Sequence, residues 1–203
     1  MIRLGITGGI GSGKSYVSCV LQELGIAVYD TDSRAKQLTL SHPSIRKGLI
    51  DLLGENVYQD GRLNRSLVAE YLFASPENAK RINALIHPCV YEDFCEWAAA
   101  YQAQGADIVA MECAILFEAG FERAVDKVLM VSAPVEIRLH RAMERDHASE
   151  QQIRARMSAQ MSDEEKLRRS DYVVINDGIR EVKPQLEELL QAVRNGNDGK
   201  EFR

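Results

Sequence analysis

Apolar residues at Ile2, Leu4 and Ile6 predict a short strand, a run of glycines occupies residues 8–13, and helical spacing takes over from 15 to 24. Gly25 closes that helix. Ile26, Ala27, Val28 and Tyr29 then read as a second strand ending at Asp30 and Asp32, after which helical spacing resumes through Ala35 and Leu38. Strand, helix, strand in this order is the parallel crossover unit.

From 41 to 104 the pattern is helical, with turns at Gly54 and at Asp60-Gly61 and no strong strand signal. Ser75-Pro76 predicts an N-cap followed by proline at the first helical position. Residues 107–113, 127–131 and 172–175 are short and mostly apolar, and helical stretches separate them, which brings the candidate parallel strands to five. Ser149-x-x-Gln152 and Ser162-x-x-Glu165 have capping-box spacing and predict two short helices before the last strand. The implied fold class is α/β, a doubly wound five-stranded parallel sheet in a single domain. Its core comprises residues 1–40, 105–135 and 170–195, a helical insertion spans 41–104, a helical lid spans 136–169, and 196–203 form a disordered tail. Ligands of such sheets bind at the carboxyl ends of the strands.

Composition narrows the class further. The 203 residues are 45% hydrophobic and 27% charged with a net charge of -5, which excludes a largely disordered chain. The acidic balance argues against a general nucleic-acid binder, so an anionic ligand would need a local site. No apolar run reaches the roughly 18 residues that span a bilayer, and the start Met1-Ile2-Arg3-Leu4 lacks a signal-peptide layout, so the expectation is a cytoplasmic protein with no membrane partner. Cys19, Cys89, Cys95 and Cys113 form no C-x-x-C pair and have no zinc spacing with any histidine; they read as reduced thiols. No conspicuous apolar stripe is left over, and a monomer is expected.

Gly8-Gly9-Ile10-Gly11-Ser12-Gly13-Lys14-Ser15 satisfies G-x-x-x-x-G-K-[ST] between a predicted strand and a predicted helix, the context a P-loop requires. Backbone N–H groups and a helix N-terminus would surround phosphate, Lys14 would add a point charge, and the Ser15 hydroxyl would face magnesium. Asp30 and Asp32 follow the second strand; one of them could cap the next helix and the other could accept a hydrogen bond from an acceptor hydroxyl. Glu112 ends the apolar strand Ile108-Val109-Ala110-Met111, where an acid commonly holds magnesium or its water. Arg138, Arg141 and Arg145 fall on one helix face and Arg154 and Arg156 follow, either as a solvated face paired with Glu144 and Asp146 or as a flap over phosphates. His87-Pro88 reads as the end of a helix over 83–86, with His87 either a turn residue or a substrate contact. These features support a P-loop phosphotransferase; a nucleotide switch is disfavoured because no Asn-Lys-x-Asp segment occurs.

Together the segments resemble the dephospho-coenzyme A kinase family over nearly the whole chain. The resemblance rests on residues 4–15, on Gly25-Ile26-Ala27-Val28-Tyr29-Asp30-Thr31-Asp32 with Ala35, and on Asp60-Gly61-Arg62-Leu63-Asn64-Arg65 with Leu67. It continues through Asn83-Ala84-Leu85-Ile86-His87-Pro88, Ile115-Leu116-Phe117-Glu118, residues 141–146 with Gln160, and residues 171–178. It implies ATP and Mg2+ at residues 8–15, Asp32 orienting or deprotonating the acceptor hydroxyl, Arg65 and His87 receiving dephospho-coenzyme A, Arg141 closing over the phosphates, and Asn176 near adenine. Ala114 stands where the family usually has proline and Glu112 where it usually has aspartate. Another small-molecule or nucleoside monophosphate kinase is the alternative, separated from this reading by the Asp30/Asp32 and His87-Pro88 segments.

Overall fold

The computed structural model describes residues 1–59 and 61–196; the expected tail lies outside them apart from Gly196, which closes a turn. The chain divides into two compact units, Met1–Tyr29 with the chain from Ala100 onward, and Asp30–Ala99.

The first unit holds a five-stranded parallel sheet in the order β2-β5-β1-β6-β7. Its strands are β1 (Ile2–Thr7), β2 (Ala27–Asp30), β5 (Ile108–Glu112), β6 (Lys127–Ser132) and β7 (Tyr172–Ile175). Central strands of a parallel sheet are covered on both faces, so β1, β5 and β6 read as nearly continuous apolar runs rather than alternating ones. One face carries α1 (Lys14–Glu23) and α9 (Val182–Arg194), whose Val17, Leu21, Leu186 and Leu190 pack with Leu4, Ile6, Leu129 and Val174. On the other face Leu116 and Val125, from the segment after β5, approach Gly5. Ile6 is in register with Glu112, and Thr7 with Met130, so the ends of three strands reach the same level of the sheet. α6 (Val135–Asp146), α7 (Glu150–Ser158) and α8 (Asp163–Arg169) lie between β6 and β7. Ser149 closes a complete capping box with Gln152, and Ser162 accepts from the Glu165 N–H, so both predicted short helices form where the spacing placed them.

The second unit is helical. α2 (Thr31–Ser41), α3 (Pro43–Leu53), α4 (Arg65–Ala74) and α5 (Pro76–Ala103) are its main elements. Ile45, Leu49, Ile82, Val90 and Phe94 are fully or almost fully buried. Arg34 grips Asp93 through two hydrogen bonds of 2.9 and 2.5 Å. The boundary at Asp30 puts α2 with the helices, whereas the sequence pattern assigns residues through 40 to the core.

Two local expectations are corrected. β3 (Tyr58–Gln59) and β4 (Arg62–Leu63) pair antiparallel as a small two-stranded sheet, where only a turn was expected. Its strands are two residues long, too short to show alternation, and only the Asp-Gly pair at 60–61, with Gly61 at φ 74, carries the hairpin signal. Second, His87-Pro88 does not end a helix: α5 runs through Pro88. Proline removes one N–H, at a cost of about 3 kcal/mol. Burial of Ile82 before it and of Cys89, Val90, Phe94 and Ala98 after it keeps both halves in one helix.

Candidate functional site

The P-loop follows β1 and leads into α1. Gly13 is the residue before that helix, at φ 91, and a Cβ there would lie 2.1 Å from the Asn176 amide nitrogen, so only glycine fits. No side chain caps α1 and its first turn has no acid. The positive end of its dipole is therefore not offset by a capping side chain or an acid, which suits an anion there. The Lys14 ammonium folds back on the loop and donates to the Gly8 and Gly9 carbonyls at 3.1 and 3.3 Å. Ser15 Oγ donates to Glu112 Oε1 at 3.0 Å, and Ser18 Oγ donates to Oε2 at 2.7 Å. The acid at the end of β5 is thus oriented by two hydroxyls from one face of α1. Hydroxyl and carboxylate oxygens are hard donors of the kind Mg2+ takes one or two at a time, with phosphate and water filling its shell. Among the described residues no group of three or more His, Cys, Asp or Glu side chains would hold a metal unaided.

The α6 arginines have separate fates. Arg138 is almost fully buried; its guanidinium pairs with Asp163 and lies where a Gly9 side chain would point. Arg145 pairs with Asp146, which also accepts from Arg156. Arg141 alone of the three meets a carbonyl, donating to Asn176 O at 3.0 Å. Asn176 follows β7, and its buried amide donates to Ser12 O at 2.9 Å, fastening that strand end to the P-loop. Gly13, Tyr16, Arg141, Asn176 and Lys183 help to line a cavity of about 620 Å³, within the size range of small-molecule sites. Lys14, Ser15, Glu112, Arg141 and Asn176, all expected from sequence, are therefore gathered at one end of the sheet.

The other expected residues belong to the second unit. Asp30 caps α2, accepting from the Asp32 and Ser33 amides at 3.0 and 3.2 Å and from Ser33 Oγ at 2.5 Å. That leaves Asp32, exposed in the first turn, as the acid not engaged in capping. Arg65 is the exposed first residue of α4, beside the Asn64 cap whose Oδ1 accepts from the Leu67 N–H. With Gln59, Arg62, Leu63 and Asn64 it lines a concavity of about 650 Å³. His87, on α5, is half-buried and not among those lining residues; burial holds its pKa below the ordinary imidazole value, so the ring is neutral at pH 7.

The family model for dephospho-CoA kinase matches residues 2–181. The chain belongs to the dephospho-CoA kinase family. It is 49% identical over 189 residues to the dephospho-CoA kinase of Bacteroides fragilis, covering 93% of this chain and 91% of that one. It superposes on the crystal structure of TT1252 from Thermus thermophilus with a TM-score of 0.78, at 34% identity and covering 96% and 97% of the two chains. The dephospho-CoA kinase from Campylobacter jejuni, at 23% identity and TM-score 0.69 over 96% and 98%, shares the fold.

Several side chains that shape this dephospho-CoA kinase family site were not singled out from sequence. Ser18 was legible in principle, three residues after Ser15 on the same helix face. Lys166 was not: it is fully buried, donating to Ala114 O at 2.9 Å and lying 3.3 Å from Glu118 Oε1. A lysine in a short charged helix reads as surface by default. Asp163 looks like an ordinary first-turn acid until Arg138 is found beside it.

Proposed function

We propose that this chain is an ATP-dependent dephospho-coenzyme A kinase, transferring the γ-phosphoryl group of ATP to the ribose 3′-hydroxyl and releasing coenzyme A and ADP, the last step in making that cofactor. The observation that carries the reading is the convergence of Lys14, the Ser15–Glu112 pair and Arg141 around one P-loop, in a chain of this family.

Phosphoryl transfer of this kind asks little covalent work of the protein, so positioning and charge neutralisation dominate. The acceptor oxygen bonds to the γ-phosphorus as the bond from phosphorus to the β,γ-bridging oxygen breaks, and the hydroxyl proton passes to the Asp32 carboxylate. The P-loop amides hold the phosphates, and Lys14 exchanges its loop carbonyls for phosphate oxygens. Arg141 swings from the Asn176 carbonyl onto charge that grows in the transition state. Asn176 borders the nucleotide and braces Ser12. Ser15 and Glu112 would hold Mg2+, which when bound neutralises phosphate charge. Arg65, with Arg62 beside it, binds the phosphates of dephospho-coenzyme A, and the neutral His87 serves as a hydrogen-bonding group rather than a cation.

No helix among the described residues is long and apolar enough to cross a membrane. The proposed enzyme acts on a small-molecule substrate in the cytoplasm, as a monomer and without nucleic acid. The test is ADP release from ATP and Mg2+ with and without dephospho-coenzyme A, the product being weighed by mass spectrometry. Acceptor-dependent release with one added phosphoryl group is expected; ADP release indifferent to the acceptor would sink the substrate assignment.

A further inference from the structure

The chain segment from 160 to 166, between α7 and the end of α8, is bound to the nucleotide loop at one end and to the loop after β5 at the other. Gln160 Oε1 accepts from the Ile10 N–H at 3.2 Å. The Ile10 side chain, in the middle of the P-loop, packs on the apolar cluster of Leu139, Ala142 and Ile153 contributed by α6 and α7. Next along the chain, the Met161 N–H donates to Glu118 Oε1 at 2.9 Å. Asp163 holds Arg138 against Gly9, the residue before Ile10. Lys166, with no exposed surface, ties the far end to Glu118 and to the Ala114 carbonyl, two residues beyond Glu112.

We propose that Gln160 is a positioning residue of the nucleotide site. It occupies the Ile10 N–H and so fixes the P-loop backbone at that residue, while Glu118 and Lys166 set the backbone that presents Gln160. Ile10 is held twice, by its side chain and by its amide, and neither hold uses a group that the family motif assigns to phosphate. The amides that follow, from Gly11 onward, are thereby kept in one arrangement before a nucleotide arrives. Without the amide hold, the loop samples more conformations when empty, and phosphate binding bears the cost of ordering it. That cost falls equally on the ground state and the transition state, so it raises the Michaelis constant for ATP and leaves turnover alone.

The inference rests on the P-loop as the ATP site, and the experiment separates the two. Gln160→Met keeps the length and removes the acceptor; Gln160→Asn withdraws the acceptor by one methylene. The affinities of the full chain and both variants for ADP with Mg2+, and for adenosine, would be measured by calorimetry, with ATP kinetics and thermal melts alongside. Loss of one hydrogen bond predicts that both variants bind ADP roughly 3- to 10-fold more weakly, with the ATP Michaelis constant rising in step. Adenosine affinity, turnover and the Michaelis constant for dephospho-coenzyme A stay within about twofold of the parent. ADP affinity unchanged in both variants would overturn the proposal, as would a fall in turnover and melting temperature together without a selective loss of ADP affinity. A parent chain that binds ADP no better than adenosine would instead remove the P-loop assignment, and this proposal with it.

Discussion

Truncating Glu118 strands a charge. Lys166 has no exposed surface and its ammonium has two partners, the Ala114 carbonyl and the Glu118 carboxylate, whereas the Glu118 side chain is 24% exposed. Removing one member of a fully buried ion pair costs about 3–5 kcal/mol, because the other charge is left without compensation. Partial hydration of Glu118 reduces what the pair contributes, and loss of the Met161 N–H acceptor adds about 1 kcal/mol. The expectation for Glu118→Ala is therefore a destabilisation of about 2–4 kcal/mol, or a fall in melting temperature of roughly 5–15 °C for a chain of this size. The measurement is a urea melt followed by far-UV circular dichroism, since the single tryptophan, Trp97, lies in the other compact unit and would report on the wrong region. The informative control is the double variant Lys166→Met/Glu118→Gln, which removes both charges while the introduced amide can still accept from the Met161 N–H; it should recover all but about 1 kcal/mol. A Glu118→Ala midpoint shift equivalent to under about 0.5 kcal/mol, or a double variant no more stable than the single one, would refute the reasoning.

Three further outcomes follow from the site. Asp32→Asn should lower turnover by about 10²- to 10⁴-fold if the carboxylate takes the acceptor proton; a fully active variant would exclude it as the base. Lys14→Ala and Arg141→Ala should each act mainly on turnover in steady-state assays, and a rise confined to the Michaelis constant would remove them from transition-state stabilisation. Burial lowers the folded-state pKa of His87 below its unfolded value near 6.5, so the unfolded chain binds the extra proton first as pH falls. The parent should therefore lose stability relative to His87→Gln as pH falls from about 6.5 to the folded pKa, and the two should show parallel pH dependence well above pH 6.5; a constant difference across pH 5–8 would contradict that assignment.

What the sequence made legible was local. The P-loop is eight consecutive residues, and Glu112 stood out as an acid at the end of an otherwise apolar strand. The division of labour between Asp30 and Asp32 was open until Asp30 was found holding two amides of α2. Pro88 was misread because the rule that proline ends a helix is local, whereas the burial of Ile82, Val90 and Phe94 on either side of it is tertiary. Lys166 and Asp163 escaped notice for the related reason that a side chain's partner, 52 or 25 residues away, decides whether its charge is buried.

The arginines of α6 show how such partners also distinguish side chains that spacing leaves equivalent. By spacing alone, Arg138, Arg141 and Arg145 are equivalent, one helix face carrying three cations. Asp163 compensates the first, and Asp146 the third. Each of those guanidiniums already has a carboxylate beside it, so a phosphate would share or replace a charge-assisted contact of similar strength. Arg141 leaves only the Asn176 carbonyl, a neutral acceptor, so its move onto phosphate gains a full opposite charge in exchange for a dipole. Under the proposed function, Arg141 is therefore the one of the three with the most to gain from a developing phosphoryl charge. The two acids that quiet its neighbours are as much a part of that selectivity as Arg141 itself.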